Sequence, residues 1–340
     1  MIDIVIPTYN GSCRIHKLLS TIAQQSYQDY CCFLIDDHST DDTVAVVQSR
    51  YPWVEIIRLD FNRGPAYARN VGVAAGHSPY IVFFDDDAYI ADPHWLKYVA
   101  QRFEKNHQLG QIATMIVSAQ NPEVLIDCGI FQAAYKFGGL FYQRRLDQLD
   151  ELHKRRKIVL GACSAGTAIR RSALEKAGGF DSRYFYPVED LDVSLRIHLI
   201  GFDVIYDPTL VVYHYVSQSM ESCVPRKLYL SRRNCLLAIV DNYPVIQIIT
   251  ILSKMILKEI VLPLYWYCRY IVSGKSHHIE LTKVRDYTRS ILFLMTTSLA
   301  TLRKRRAVNV YRRRSRRYLR NLNDQFLRGL GDAQIDDFPI

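Results

Sequence analysis

Short apolar segments alternate with stretches of helical periodicity along about the first 120 residues of the chain. Each segment is nearly all apolar and rich in β-branched residues, which is typical of a strand covered on both faces. Five strands are predicted, at residues 2–6, 31–35, 54–59, 80–84 and 112–117. Because strands that alternate with helices form βαβ units, the pattern predicts an α/β fold with a mostly parallel sheet.

The helical stretches carry recognisable start signals. Apolar residues at helical spacing over residues 15–22 predict a helix after the first strand, with Ser12 as its N-cap. Asp41 is expected to cap a second helix, and Pro65 to occupy the first turn of a third.

Polar residues follow four of the predicted strands. Ligands of open parallel sheets bind beyond the carboxyl ends of the strands, so we expect the functional site there. The polar segments are Pro7-Thr8-Tyr9-Asn10, Asp36-Asp37, Asn62-Arg63-Gly64 and Asp85-Asp86-Asp87. Neither a GxGxxG turn nor a GxxxxGK[ST] loop follows the first strand, which argues against a dinucleotide-binding dehydrogenase and a P-loop NTPase.

The run of three aspartates at residues 85–87 is the first candidate for chemistry. Adjacent carboxylates repel one another unless a cation neutralises them. Hard oxygen ligands favour Mg²⁺ or Mn²⁺, which often bridges substrate phosphates. A solvated acidic turn is the alternative, but the position at a strand's carboxyl end, near Asp36 and Asp37, favours a metal site.

A second acidic cluster lies at Glu189 and Asp190, in the first turn of a helix predicted to follow Pro187. The leucines of this helix are expected to point inward, at positions 191, 195 and 199. Helix capping would explain the two acids, and a general base is the functional alternative. His214, after a predicted strand at residues 210–213, could be structural or part of the site.

Several of these segments together resemble family 2 glycosyltransferases with the GT-A fold. They occur in the family's order over about residues 2–240, which is roughly two thirds of the chain. The matching segments are residues 4–10, 34–43, 62–72, 83–87, 178–181, 189–196 and 212–214. The resemblance implies a Rossmann-like GT-A sheet, a nucleotide-sugar donor and an inverting, single-displacement transfer.

The resemblance also implies roles for individual residues. The implied nucleotide contacts are Pro7, Thr8, Tyr9, Asp36 or Asp37, Arg69, Asp85 and Asp86. Mn²⁺ or Mg²⁺ would be held by Asp85, Asp87 and His214, although the sequence leaves open which pair of aspartates binds it. Asp190 matches the catalytic base, with Glu189 less favoured, and residues 161–167 match the segment that lines the acceptor side. The QxxRW motif of processive synthases is absent after residue 190, which favours transfer of a single sugar.

The C-terminal third carries a looser resemblance and an uneven charge. Residues 227–234 are similar to a segment of bacterial rhamnosyltransferase-like enzymes, best at Arg233-Asn234, although an ordinary cationic helix start is the alternative. The net charge is +9, and residues 303–320 contain nine arginines, one lysine and no acidic residue. This basic segment follows stretches that are predominantly apolar.

Residues 245–272 are rich in aliphatic and aromatic side chains. Gln247, Lys254 and Lys258 are predicted to lie on one side of a helix, which leaves an apolar face. Apolar helices beside arginines predict attachment to the surface of an anionic membrane, with a helical subdomain packed on the catalytic domain as the alternative. No apolar run is long enough to predict a spanning helix.

We therefore expect a GT-A catalytic domain at residues 1–240, with a nucleotide half at about 1–120 and an acceptor half at about 121–240. A helical, basic, membrane-associating extension is predicted at 241–325, and a flexible tail at 326–340. The eight cysteines form no CxxC pair and are expected to be reduced, buried hydrophobic residues.

The predicted function is transfer of one sugar to a membrane-borne acceptor, expected to be a lipid-linked oligosaccharide, in polysaccharide or glycan synthesis. The predicted location is the cytoplasmic face of the cell membrane, as a peripheral protein. The alternatives are a polyprenyl-phosphate sugar transferase and a catalytically silent scaffold that binds sugar nucleotides. Binding of nucleic acid is not expected, because the basic segment has few aromatic residues for base stacking.

Overall fold

The computed structural model describes residues 1–127, 144–145, 155–215, 224–273 and 281–329. Within them lie eleven strands and twelve helices. The strands are β1 (Ile2–Thr8), β2 (Tyr30–Asp36), β3 (Glu55–Arg58), β4 (Tyr80–Phe84), β5 (Ala88–Tyr89), β6 (Leu109–Ser118), β7 (Val124–Asp127), β8 (Arg144–Arg145), β9 (Lys157–Ile158), β10 (Gly166–Arg170) and β11 (Asp203–His214).

The helices alternate with the strands in the first half and follow one another in the last third. They are α1 (Ile15–Ala23), α2 (Thr43–Arg50), α3 (Pro65–Ala75), α4 (Trp95–Lys105), α5 (Arg171–Ala177), α6 (Glu189–Leu199), α7 (Val224–Asn242), α8 (Val245–Ile256), α9 (Leu262–Ser273), α10 (Leu281–Thr296), α11 (Ser298–Tyr311) and α12 (Arg316–Gly329). A π-helical segment, Leu257–Val261, joins α8 to α9.

The main sheet has the strand order β3-β2-β1-β4-β10-β6-β11-β5. The pairs β3–β2, β2–β1 and β1–β4 are parallel, as the βαβ pattern predicts. Beyond β4 the expectation of a mostly parallel sheet is wrong, because β10 runs antiparallel to both of its neighbours, although β6 and β11 are parallel. Between β6 and its neighbour β10, the described residues contain no helix that could serve as the crossover of a parallel pair.

The five predicted strands are confirmed to within a few residues, and Pro65 is the first residue of α3, as predicted. Helix α2 begins at Thr43 with Asp42 as its N-cap residue, one position after the predicted Asp41, although the Asp41 carboxylate accepts the Thr43 N–H at 3.1 Å. The predicted Ser12 cap is wrong. Helix α1 begins at Ile15, and the Ser12 N–H instead donates to Asp41 at 3.2 Å.

Apolar side chains cover both faces of the sheet. One cluster joins Val5, Phe83 and Ile169 of the sheet to the inward faces of α5, α6 and α7. The other packs Ile4 and Phe84 against α1 and α4. The polar segments that follow β1, β2 and β4 meet at one edge of this sandwich, where the Asp37 N–H donates to the Thr8 carbonyl group and the Thr8 hydroxyl donates to Asp86.

The C-terminal helices pack on the catalytic domain and on one another. Helix α7 packs against α6, α10 and α11, and α12 packs against α6. Helix α7 runs across the predicted boundary at residue 240, and α12 continues to Gly329, past the predicted start of the tail; residues 330–340 lie outside the described part. Of the predicted polar side, Lys254 and Lys258 are exposed as expected, but Gln247 is only 5% exposed while Ile246 is 74% exposed.

Among the described helices, none combines the length and apolarity needed to cross a bilayer. Six of the cysteines belong to the described residues and all six are free thiols. Four of them are buried or half-buried, as expected of small hydrophobic residues, whereas Cys13 and Cys268 are exposed. Cys128 and Cys223 lie outside the described residues.

Candidate active site

Asp85, Asp87 and His214 form a compact group of metal-binding side chains. Their ligand atoms all lie within 4.8 Å of one another, and His214 Nε2 is 2.9 Å from Asp87 Oδ1. The topology explains why these three side chains lie close together. Asp85–Asp87 connect β4 to β5, and β5 pairs with β11 so that Ala88 lies opposite His214. Two carboxylates and an imidazole suit a divalent ion such as Mn²⁺ or Mg²⁺, so the residues present fit the predicted metal.

The electrostatics of this group come from burial, a hydrogen bond and nearby charges. Burial disfavours the charged form of both Asp87 and His214, but their mutual hydrogen bond, their charge attraction and the other charged side chains nearby together outweigh it. The pKa of Asp87 is therefore lowered and that of His214 is raised.

Asp86 is not part of this group and has other partners. Its carboxylate accepts the Thr8 hydroxyl at 2.6 Å and the Arg14 guanidinium at 3.1 Å, and it is only 8% exposed. The sequence left open which two of the three aspartates act together, and the structure groups Asp85 with Asp87. The sequence analysis missed Arg14. A basic residue soon after the first polar segment is a weak signal, since nothing in the pattern shows that it faces Asp86.

Arg69 connects the metal-binding group to the second acidic cluster. From within α3, its guanidinium donates to Asp85 Oδ1 at 2.8 Å and to Glu189 Oε1 at 2.6 Å. Arg69 and Glu189 are 2% and 3% exposed, respectively. Two carboxylates hold this buried guanidinium charged, which raises its pKa even though burial opposes the charge.

Asp190 differs from its neighbour Glu189 in exposure and in partners. It is half-buried, and its carboxylate accepts the Leu191 N–H at 2.8 Å and the Ser164 N–H at 3.3 Å. Burial raises the pKa of Asp190 to about 6, although Arg69 and these backbone donors oppose the rise. The predicted helix after Pro187 is confirmed as α6, with its three leucines buried.

The remaining predicted residues line the carboxyl ends of β1 and β2. Asp37 accepts the N–H groups of Arg63 and Gly64 at 2.7 and 2.8 Å, which fixes the turn into α3. Asp36 is fully buried and accepts the Ser39 N–H at 3.1 Å. Pro7 is buried within β1, whereas Tyr9 is 44% exposed.

Curated relatives resemble this chain over different lengths. An uncharacterised glycosyltransferase of Haemophilus influenzae is 36% identical over 95 residues, which is 27% of this chain and 38% of that protein. An N-acetylglucosaminyl-diphospho-decaprenol L-rhamnosyltransferase of Mycobacterium tuberculosis is 26% identical over 247 residues, covering 64% of this chain and 77% of the relative. A poly-β-1,6-N-acetyl-D-glucosamine synthase of Staphylococcus epidermidis is 23% identical, covering 84% and 67%. The chain thus spans less than half of the Haemophilus relative's length.

Solved structures and the family comparison agree on the fold. A mannosyltransferase from Pyrobaculum calidifontis, solved with GDP-Man and Mn²⁺, is 16% identical with a TM-score of 0.55, covering 96% of this chain and 86% of that one. This likeness shows the GT-A type of mixed α/β fold. The sequence model described as Glycosyl transferase family 2 matches residues 3–178. That match covers more than half of the chain, and the chain therefore belongs to glycosyl transferase family 2.

Proposed function

We propose that the protein is an inverting glycosyltransferase that moves one sugar from a nucleotide donor to an acceptor hydroxyl. One observation carries the proposal: Arg69 links the metal-binding Asp85 to Glu189, and Asp190 follows directly with a half-buried carboxylate. A site for a phosphate-bound metal and a candidate base are therefore held in one connected group.

On the donor side, Asp85, Asp87 and His214 would hold Mn²⁺ or Mg²⁺. When bound, such an ion would stabilise negative charge on the leaving diphosphate. Arg69 keeps Asp85 in place and adds a positive charge at the same edge. The roles of Pro7, Thr8, Tyr9, Asp36, Asp37 and Asp86 in nucleotide binding remain predictions. Of these, Tyr9 has the exposure that a stacking contact would need.

On the acceptor side, Asp190 would accept the proton of the attacking hydroxyl. A carboxylate with a pKa of about 6 is ionised at neutral pH and still basic enough to take a proton. The attack on the anomeric carbon would pass through a transition state resembling an oxocarbenium ion. Residues 161–167 would border the acceptor, since the Ser164 N–H contacts Asp190.

We propose a lipid-linked saccharide as the acceptor, in polysaccharide or glycan synthesis. The name of the Mycobacterium tuberculosis relative describes transfer to a diphospho-decaprenol, which supports this acceptor class. A lipid phosphate as acceptor is the alternative, and it predicts a product that needs no saccharide primer.

Peripheral attachment to the cytoplasmic face of a membrane belongs to the same proposal. Val245, Ile246 and Ile249 of α8 are 62%, 74% and 60% exposed, and Met295 and Leu299 are 66% and 69% exposed. Exposed apolar side chains at this density mark an interaction surface, and neighbouring arginines favour anionic lipid.

The first test is thermal stabilisation of the purified protein by UDP-, GDP-, dTDP- and CMP-sugars, with and without Mn²⁺. One nucleotide class should raise the melting temperature by about 3 to 5 °C at a hundredfold excess over its Kd. The rise should depend on Mn²⁺ and be lost in Asp87→Asn. The matched control is Asp29→Asn, because Asp29 precedes β2 at the opposite edge of the sheet.

The outcomes separate the alternatives. Stabilisation without turnover, with either a saccharide or a lipid phosphate as acceptor, would favour the silent scaffold. A folded protein that no donor stabilises would overturn the proposed activity.

A further inference from the structure

A cluster of buried charges joins the C-terminal helices to the catalytic domain. Lys304 of α11 points its ammonium group at three carboxylates. The Nζ atom lies 2.7 Å from Asp181 Oδ2, 2.9 Å from both oxygens of Asp192 and 2.8 Å from Asp241 Oδ2. The Lys304 side chain is 14% exposed, and those of Asp192 and Asp241 are 0% exposed.

The three carboxylates belong to different parts of the fold. Asp181 follows α5, Asp192 lies in the first turn of α6, and Asp241 is near the end of α7. Arg183 donates to Asp181 at 2.6 Å and to Asp241 at 2.8 Å. Because buried carboxylates are strongly destabilising without a counter-charge, Lys304 and Arg183 hold these elements together.

The first turn of α6 requires such support. Val188, which directly precedes the helix, has a φ of +83°, a conformation that a β-branched residue adopts only when its surroundings impose it. Asp192 lies two residues after Asp190 in the same turn. Its carboxylate is held by Lys304, by Arg196 at 2.7 Å and by Asn242 at 2.8 Å.

We propose that Lys304 is a positioning residue, which orients Asp190 by holding the first turn of α6 from helix α11. The proposal rests on the proposed function, since it assigns Asp190 the role of base. Lys304 contacts neither the metal-binding group nor Asp190. It acts through Asp192, so its loss should impair the chemical step and leave donor binding intact.

The test compares Lys304→Met with Lys105→Met, the same substitution at an exposed position of α4. Donor affinity is measured by titration with the nucleotide identified in the panel, with Mn²⁺ present. The rates of transfer and of donor hydrolysis are then normalised to the protein competent to bind the donor. We expect Lys304→Met to lower kcat by about 10- to 100-fold with the donor Kd within twofold of wild type, because small displacements of a catalytic group have effects of this size. Lys105→Met should match the wild type in both.

This normalisation separates positioning from stability, because a purely structural role would lower the folded fraction without changing kcat. Unchanged kcat in donor-competent Lys304→Met would overturn the proposal. If that variant does not fold, Lys304→Met/Asp241→Asn removes one charge of each sign from the cluster. A reduced kcat in the double variant supports the proposal, and a normal one overturns it.

Lys304→Arg keeps the charge and should recover part of the lost kcat. An inactive wild-type protein that binds no donor would overturn the proposed function, and this inference with it. If the wild type is active and the Lys304 variants have the same kcat as the wild type, the inference alone is overturned.

Discussion

Two neighbouring acids, Glu189 and Asp190, have different surroundings and therefore different chemistry. Arg69 holds Glu189 in a 2.6 Å ion pair at 3% exposure, so this carboxylate is already neutralised and screened from an acceptor. Asp190 is half-buried, and within the described part of the chain its carboxylate accepts the backbone N–H groups of Ser164 and Leu191. Burial raises the pKa of both. Of the two, Asp190 therefore suits the role of general base.

Asp190→Asn should lower kcat by about 10²- to 10⁴-fold, because the amide keeps the shape of the side chain but cannot accept the proton. Donor affinity should be unchanged. In the wild type, kcat should rise as the pH increases through about 6, since Asp190 must lose its proton to act, and this rise should vanish in the variant. Steady-state rates from about pH 4 to 8, roughly two units either side of that pKa, measure both effects. Near-normal kcat in a donor-binding Asp190→Asn protein would show that another group is the base.

Helix α7 supports the loop that leads into α6. Asn234 is fully buried, and its amide donates to the carbonyl groups of Tyr184 and Pro187 at 2.8 and 2.6 Å. Arg233 donates to the carbonyl groups of Arg183 and Tyr184 at 3.0 and 2.9 Å. The Arg233-Asn234 pair, noted in the sequence for its resemblance to rhamnosyltransferase-like enzymes, thus holds the backbone just before the candidate base.

Asn234→Ala should lower the free energy of unfolding by about 2 to 4 kcal/mol, because it leaves two buried carbonyl groups without this donor. Urea unfolding monitored by circular dichroism measures the change. Leu228→Ala, at a 48% exposed position of the same helix, should stay within about 0.5 kcal/mol of wild type. Equal stability of the two variants would contradict the anchoring role of Asn234.

Across the whole molecule, the basic segment divides into two populations. Lys304 and Arg305 turn inward, the first to carboxylates and the second to the carbonyl group of Tyr243 at 3.0 Å. Arg303, Arg306 and Arg317 are exposed. Removing the entire segment would therefore also remove the counter-charge of the buried carboxylates. For this reason, substitutions of exposed residues are the appropriate test of membrane attachment.

Ile246→Ser with Ile249→Ser should weaken binding to vesicles of phosphatidylcholine and phosphatidylglycerol by about 10- to 100-fold. Full burial of one isoleucine contributes about 1.5 to 3 kcal/mol, and insertion at a membrane surface captures part of it. Co-sedimentation at low and high salt separates this apolar contribution from the electrostatic one, which salt screens. The control is Ile158→Ser, at a 41% exposed isoleucine of β9. If both proteins bound vesicles equally, α8 would not face the membrane.

Much of the fold and of the candidate site could be predicted from the sequence alone. Continuous apolar runs defined the strands, because burial on both faces leaves no room for polar side chains. Helical periodicity and Pro65 located the early helices. The acids after β4, the Glu189-Asp190 pair and His214 were all singled out, since each follows a strand or opens a helix at the edge where ligands bind.

Relations between distant residues were decided only by tertiary structure. The antiparallel position of β10, the different partners of Asp85 and Asp86, and the Arg69 bridge depend on packing between segments far apart in the chain. Lys304 shows most clearly what the sequence could not predict. It lies in a run of basic residues that is typical of an exposed surface. Its charge is nevertheless buried, because three carboxylates from other elements converge where α11 packs. Local sequence therefore determined the elements and the candidate chemistry, while the folded packing decided which charges meet.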